Sequence, residues 1–209
     1  TGDGGTIRLR SPIITLSEKA LINVSAIAGT GDAGTLEVLV DNLTLDDATI
    51  FGSTGGEGDG GSILVNDPDV LANPNIGTSI QLVNGSVISV SAFSDARPGS
   101  IVLDATDVLI TDVSRVESDT RGALRAARDT GISIDGERLE LSGNSTISSS
   151  STGAADAGNI SITLGDRLDI VGSAVNTTSA MAGGGIIFID TKDTIFIDNG
   201  IVSATASGE

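Results

Sequence analysis

Apolar residues along this chain recur in pairs at spacing two, and the pairs themselves recur with a long, regular period. A Gly precedes each alternating Ile/Leu/Val stretch, at Gly5, Gly34, Gly61, Gly99, Gly131, Gly158 and Gly185. The successive spacings of 29, 27, 38, 32, 27 and 27 residues define a base period of 27 with insertions of 2, 11 and 5. The first pairs are Ile7/Leu9, Leu36/Val38, Ile63/Val65, Ile101/Leu103, Ile132/Ile134, Ile160/Ile162 and Ile187/Ile189. The second pairs are Ile14/Leu16, Leu43/Leu45, Ile80/Leu82, Val108/Ile110, Leu139/Leu141, Leu168/Ile170 and Ile195/Ile197. A weaker third run follows at Leu21, Ile50, Val87, Val116, Ile147, Val175 and Val202.

Spacing two denotes strands, because alternate side chains point to opposite faces. Three short strands in 27 residues make each unit a triangular coil, which has no apolar layer of its own to close against. Stacking coils at about 4.8 Å closes the core and pairs each strand with its copies above and below. The predicted fold is all-β, a right-handed parallel β-helix of about seven coils, the hand following from that of parallel crossovers. Its axial length is about 34 Å at that rise. A β-sandwich also uses short alternating strands, but it requires no common phase every 27 residues. The whole of 1–209 reads as one β-helical segment of a longer chain.

The two largest departures from the period are in the third and fourth units. DPDVLANPNIGTS, Asp67 to Ser79, carries two Pro and two Asn and predicts a loop from the first corner of the third unit. RGALRAARD, Arg121 to Asp129, is the one helix-like stretch, with Arg121, Arg125 and Arg128 sharing a face. Five of the 11 basic residues lie between Arg97 and Arg128. They are expected to form either a solvated helix over the solenoid or a docking patch for an acidic partner, with Arg121, Arg125 and Arg128 as its candidates.

Composition narrows the chemistry. The chain has 28 Gly, four Phe and no Cys, His, Trp or Tyr. Disulfides, His- or Cys-ligated metals, and Ser-His-Asp or Cys-His catalysis are thereby excluded. The net charge of −17 argues against nucleic acid as a partner, and no apolar run is long enough to insert in a membrane.

An Asp stands two positions before the marker Gly at Asp3, Asp32, Asp59, Asp129 and Asp156. Stacking would set these carboxylates in a column about 5 Å apart. They are Ca²⁺ candidates, since Ca²⁺ takes several carboxylate and carbonyl oxygens. The preferred expectation is that each caps its own turn by accepting N–H groups of the residues that follow, with no cofactor required. An enzyme is not expected. Glycoside cleavage needs paired carboxylates in a cleft, and Asp46/Asp47, Asp67/Asp69 and Asp166/Asp169 sit in turns, with no Trp or Tyr to stack a sugar. Phe188 and Phe196 are out of phase with the inner Ile residues and are expected to face outward. The Ser/Thr runs Asn144 to Thr152 and Ser173 to Ala180 are read as polar outer faces.

The unit form in ADAGNISITLGDRLDIVGSAVNTTSA and TGISIDGERLELSGNSTISSSSTGAADAG resembles filamentous haemagglutinin-like proteins, above all the repeat regions of cyanobacterial members exported by two-partner secretion. The resemblance covers Gly5 to Gly208 at the level of the repeat. It implies a secreted, cell-surface β-helical fibre that passes an outer-membrane transporter unfolded and folds outside. The family's secretion domain is not evident, and the NPN at Asn73 to Asn75 lies mid-chain. The expected function is a non-enzymatic structural or adhesive shaft, continued at both ends by further repeats or by another copy, with a glycan or cell-surface partner. The alternative is a carbohydrate-active or glycan-binding β-helix.

Overall fold

The computed structural model describes residues 2–69, 77–93, 95–122 and 131–207. Among them there is no helix, and the strands build a parallel β-solenoid. The first and second apolar pairs of a coil share one long strand that runs through the first corner. These strands are Thr6–Ser17, Thr35–Asp46, Ser100–Ile110, Gly131–Leu141 and Asn159–Val171. In the third and seventh coils the strand is divided, into Ser62–Val65 with Ser79–Val83 and Ile187–Thr191 with Thr194–Asp198. A second sheet of seven strands carries the third run, from Leu21–Asn23 to Ile201–Ala206.

All pairing is parallel and rung on rung: Ile134 lies between Leu103 and Ile162, and Leu141 between Ile110 and Ile170. The interior is a stack of aliphatic ladders, with Ile134, Leu141, Ile162 and Ile170 fully buried. Two members of the third run were assigned one residue early. The inner ladder there is Ile22, Ile50, Ile88, Val116, Ile147, Val175 and Val202. Leu21 and Val87 instead share the outward-facing column of Thr49 and Arg115. Each of these strands is three residues long and begins with two adjacent apolar residues, Leu21-Ile22 and Val87-Ile88, so alternation alone leaves its phase open.

The marker Gly has a steric cause. A Cβ at Gly34, Gly61, Gly99 or Gly185 would collide with the carbonyl oxygen of the marker Gly one coil below. That carbonyl is in use, since Gly5, Gly34 and Gly61 accept the N–H of Thr35, Ser62 and Ser100 at 3.1, 3.1 and 3.2 Å. The marker N–H closes a corner, with Gly99 donating to Val90 O at 2.9 Å. A second corner, before the third strand, is left-handed in every coil, at Glu18 and Lys19, Asp47, Asn84, Asp112 and Val113, Asn144, Gly172 and Asn199. Asn and Asp dominate there because they tolerate that conformation.

The hydroxyl-rich runs are only partly surface. Ser118, Thr120, Ser149, Ser151, Thr177 and Ser179 are buried. They fill the narrow end of the coil beside the marker Gly, where Ser118 Oγ donates to Gly99 O at 2.9 Å and Ser149 Oγ to Ser118 O at 3.2 Å. A hydroxyl fits there because it is small and can satisfy a carbonyl that the ladder leaves over.

The stretch in which a loop is expected, Asp67 to Ser79, falls between the strands Ser62–Val65 and Ser79–Val83. Residues 70–76 lie outside the described ones, as do residues 123–130, and the helical reading of Arg121 to Asp129 falls mainly on the latter.

Candidate functional site

The Asp column is real, but its bonds run between coils rather than within a turn. Asp3 Oδ1 accepts the N–H of Asp32 at 3.3 Å, Asp32 Oδ1 that of Asp59 at 2.8 Å, and Asp59 Oδ1 that of Arg97 at 3.2 Å. Asp156 Oδ1 likewise accepts the N–H of Gly183 at 2.8 Å. The expectation that each Asp caps its own turn is therefore corrected. The backbone has left the strand ladder here, and a short carboxylate reaches the amide one rung up. Arg97 occupies the Asp position of its coil and pairs with Asp59 at 2.7 Å, which relieves the like-charge column. Asp129 lies outside the described residues. Among the described residues, no three acidic, Cys or His side chains are grouped to hold a metal ion.

The described members of the basic stretch, Arg97, Arg115 and Arg121, each have a separate partner. Arg97 is neutralised by Asp59, and Arg115 Nε pairs with Glu117 Oε1 at 2.9 Å. Arg121 lies over the Phe93 ring, 5.3 Å from its centroid. Arg125 and Arg128 lie outside the described residues. Elsewhere Arg side chains stitch coils together: Arg8 to Glu37, and Arg138 to both Asp107 at 2.7 Å and Asp166 at 3.5 Å.

Two grooves stand out on the shaft. The first follows the first corner and has a volume of about 380 Å³. It is lined by Asp104, Asp135, Glu137 and Asp190, with Lys192, Thr163 and Pro68 among its other walls. Asp104 and Asp135 are partners on adjacent rungs. Asp104 is nearly buried, and burial pushes its carboxyl up to about 6, with the charges of Asp135 and Asp67 acting in the same direction. Ser133 Oγ donates to Asp135 Oδ2 at 2.9 Å. These carboxylates lie 31 residues apart in the chain, so only the stacking of coils brings them together.

The second groove lies on the outer face of the third strands. It consists of adjoining hollows of about 250 and 430 Å³, and Phe51 and Phe93 line both. Arg115, Glu117, Asp119 and Arg121 form the rest of the larger hollow's charged wall. Burial pushes the Asp119 carboxyl up, opposed by the Ser150 N–H, the Ser148 hydroxyl and the Arg121 charge. Burial also pushes Glu117 up, with Arg115 drawing it down and Asp119 raising it further.

Phe188 and Phe196 do face outward, the latter beneath Arg167 at 5.6 Å. Two of the four Phe are thus on the surface away from this groove, and the other two line it. No sequence signal joins them, since Phe51 ends a third strand and Phe93 lies beyond one.

Comparison of the chain with family models, with curated proteins and with solved structures finds no match.

Proposed function

We propose that this chain is a structural and adhesive shaft segment of a secreted, cell-surface fibre. One observation carries the reading: an aliphatic ladder runs through seven successive rungs, although the spacing between units varies from 27 to 38 residues. Such a core adds length rung by rung at constant cross-section, which is the property a spacer or fibre needs. The resemblance to filamentous haemagglutinin-like repeats supports the extracellular setting and export by two-partner secretion. On this reading the chain is not an enzyme, and its partners are further repeats, a cell surface and, during export, an outer-membrane transporter.

Static and dynamic light scattering with electron microscopy on the chain across salt concentrations tests it. Thin rods that lengthen with protein concentration are the expected result. A compact monomer at high concentration and high salt would refute axial assembly.

One observation favours a second reading, a carbohydrate-active groove. Nearly buried Asp104, its carboxyl pushed up to about 6, stands on the rung next to Asp135, a carboxyl pair of the kind that general acid catalysis uses in mildly acidic solution. Incubation with a panel of polysaccharides separates the two readings. Reducing-end release that disappears in Asp104→Asn would favour the enzyme.

A further inference from the structure

We propose that the groove on the third side binds a neutral oligosaccharide. Its parts come from three successive coils. Phe51 belongs to the second coil, and Phe93 follows the third strand of the next one. Arg115, Glu117, Asp119 and Arg121 belong to the fourth. At about 4.8 Å per rung this spans about 10 Å along the shaft, room for a short oligosaccharide.

The lining is chemically mixed in the way sugar recognition requires. The apolar C–H face of a pyranose needs a flat hydrocarbon surface, and Phe93 presents one at 53% exposure on a protein with few aromatics. Arg121 lies over that ring, 5.3 Å from its centroid, and joins the platform to the charged wall of the groove. Vicinal hydroxyls need an acceptor and a planar donor side by side, which Glu117 and Arg115 supply in their 2.9 Å pair. Asp119 is held in place from its other side: its Oδ1 accepts the Ser148 hydroxyl at 2.9 Å and the Ser150 N–H at 2.7 Å. A carboxylate fixed by two donors in a partly buried wall loses little entropy on accepting a ligand hydroxyl.

Charge selects the class of sugar. Two guanidinium groups and two carboxylates line the groove, so it has no excess of positive charge for a uronate or sulfate. The surrounding −17 repels anionic glycans further. A neutral sugar carries no such penalty.

The inference gives the adhesive part of the proposed function a ligand and rests on that part alone. It is tested on the whole chain by isothermal titration with the neutral probes cellotetraose, maltotetraose, mannotetraose, xylotetraose and chitotetraose, and with anionic tetragalacturonate. At least one neutral probe should bind saturably. Phe93→Ala and Phe51→Ala should each weaken it by about tenfold or more. Phe188→Ala, an exposed Phe on another face, should leave affinity within about twofold. Unchanged circular dichroism and melting of each variant separate lost binding from lost fold. Failure of all five neutral probes, equal binding by Phe93→Ala, or tighter binding of tetragalacturonate would each overturn the assignment. The fibre reading fails separately, since a monomer that binds sugar loses only the fibre, and a fibre that ignores sugar loses only this groove.

Discussion

A side chain's weight in this solenoid depends on which way its Cβ points, since neighbours on one strand face core and solvent in turn. Ile162 is fully buried between Ile134 and Ile189, whereas Ser161 on the same strand is partly exposed. Ile162→Ala should cost about 2–5 kcal/mol through lost transfer energy and the cavity left behind. Ser161→Ala should cost under about 0.5 kcal/mol. Urea melts of the two variants check this, and equal losses would contradict the inside/outside phase. Asp104 adds a pH dependence. Its carboxyl holds a proton to about pH 6 in the folded chain, against about 4 when unfolded. Between those values the native state binds more protons, so this group's contribution to stability falls as pH rises. Asp135 and Asp67 raise it directly, and Glu137, Asp190 and Lys192 line the same groove. Asp104→Asn should therefore be more stable than the parent at pH 7.5 by about 1 kcal/mol, by about half of that at pH 5, and nearly equal to it at about pH 3.5. A gap that widens on acidification would show the sign to be wrong.

At the scale of the element, the informative places are those where backbone leaves the ladder. The largest insertion opens after Val65, and Asn66 repairs the gap with its side chain. Its Oδ1 accepts Val40 N–H at 2.9 Å, and its Nδ2 donates to Val40 O at 2.9 Å and Asp104 O at 3.1 Å. An amide side chain can do this because it carries the same donor and acceptor as the peptide group it replaces. Asn66→Ala should cost about 2–4 kcal/mol by stranding buried backbone groups, and Asn66→Asp should be nearly as damaging because it lacks the donor. Thermal melts that barely change would refute the repair. The Asp column obeys the same rule, with Asp3, Asp32, Asp59 and Asp156 satisfying amides one coil up. Because those carboxylates already have partners, millimolar Ca²⁺ should alter the melting temperature little. A rise of tens of degrees that a chelator reverses would overturn this.

For the whole molecule, charge and geometry act on different contacts. Lateral faces carry the excess of acidic groups behind the net −17, so side-by-side bundling works against repulsion. Axial contact would join apolar ladder ends and is less affected. Raising salt from about 0.01 to 0.15 M shortens the screening length from about 30 to 8 Å. Axial association seen by light scattering should therefore strengthen over that range, and rods should remain thin. Association that weakens with added salt would point to ion pairing as its cause.

The period and the alternation lie on the surface of the sequence because a solenoid repeats the same local problem in each coil. The aliphatic columns, the marker Gly, the outward Phe188 and Phe196, and the break between strands in which Asp67 to Ser79 falls were all legible from spacing alone. Phase failed only at Leu21 and Val87, where two adjacent apolar residues in a three-residue strand give alternation too little length to decide. Partnership between coils was not legible. Asp side chains that look like turn caps reach the next rung, and Asn66 looks like a loop residue yet lies in the core. Asp104 meets Asp135, and Phe51 and Phe93 come to line one groove, across separations that no local pattern encodes. Local spacing determines which way each side chain points. Only the stacking of one coil on the next, with its insertions and its exact rung spacing, decides what that side chain meets.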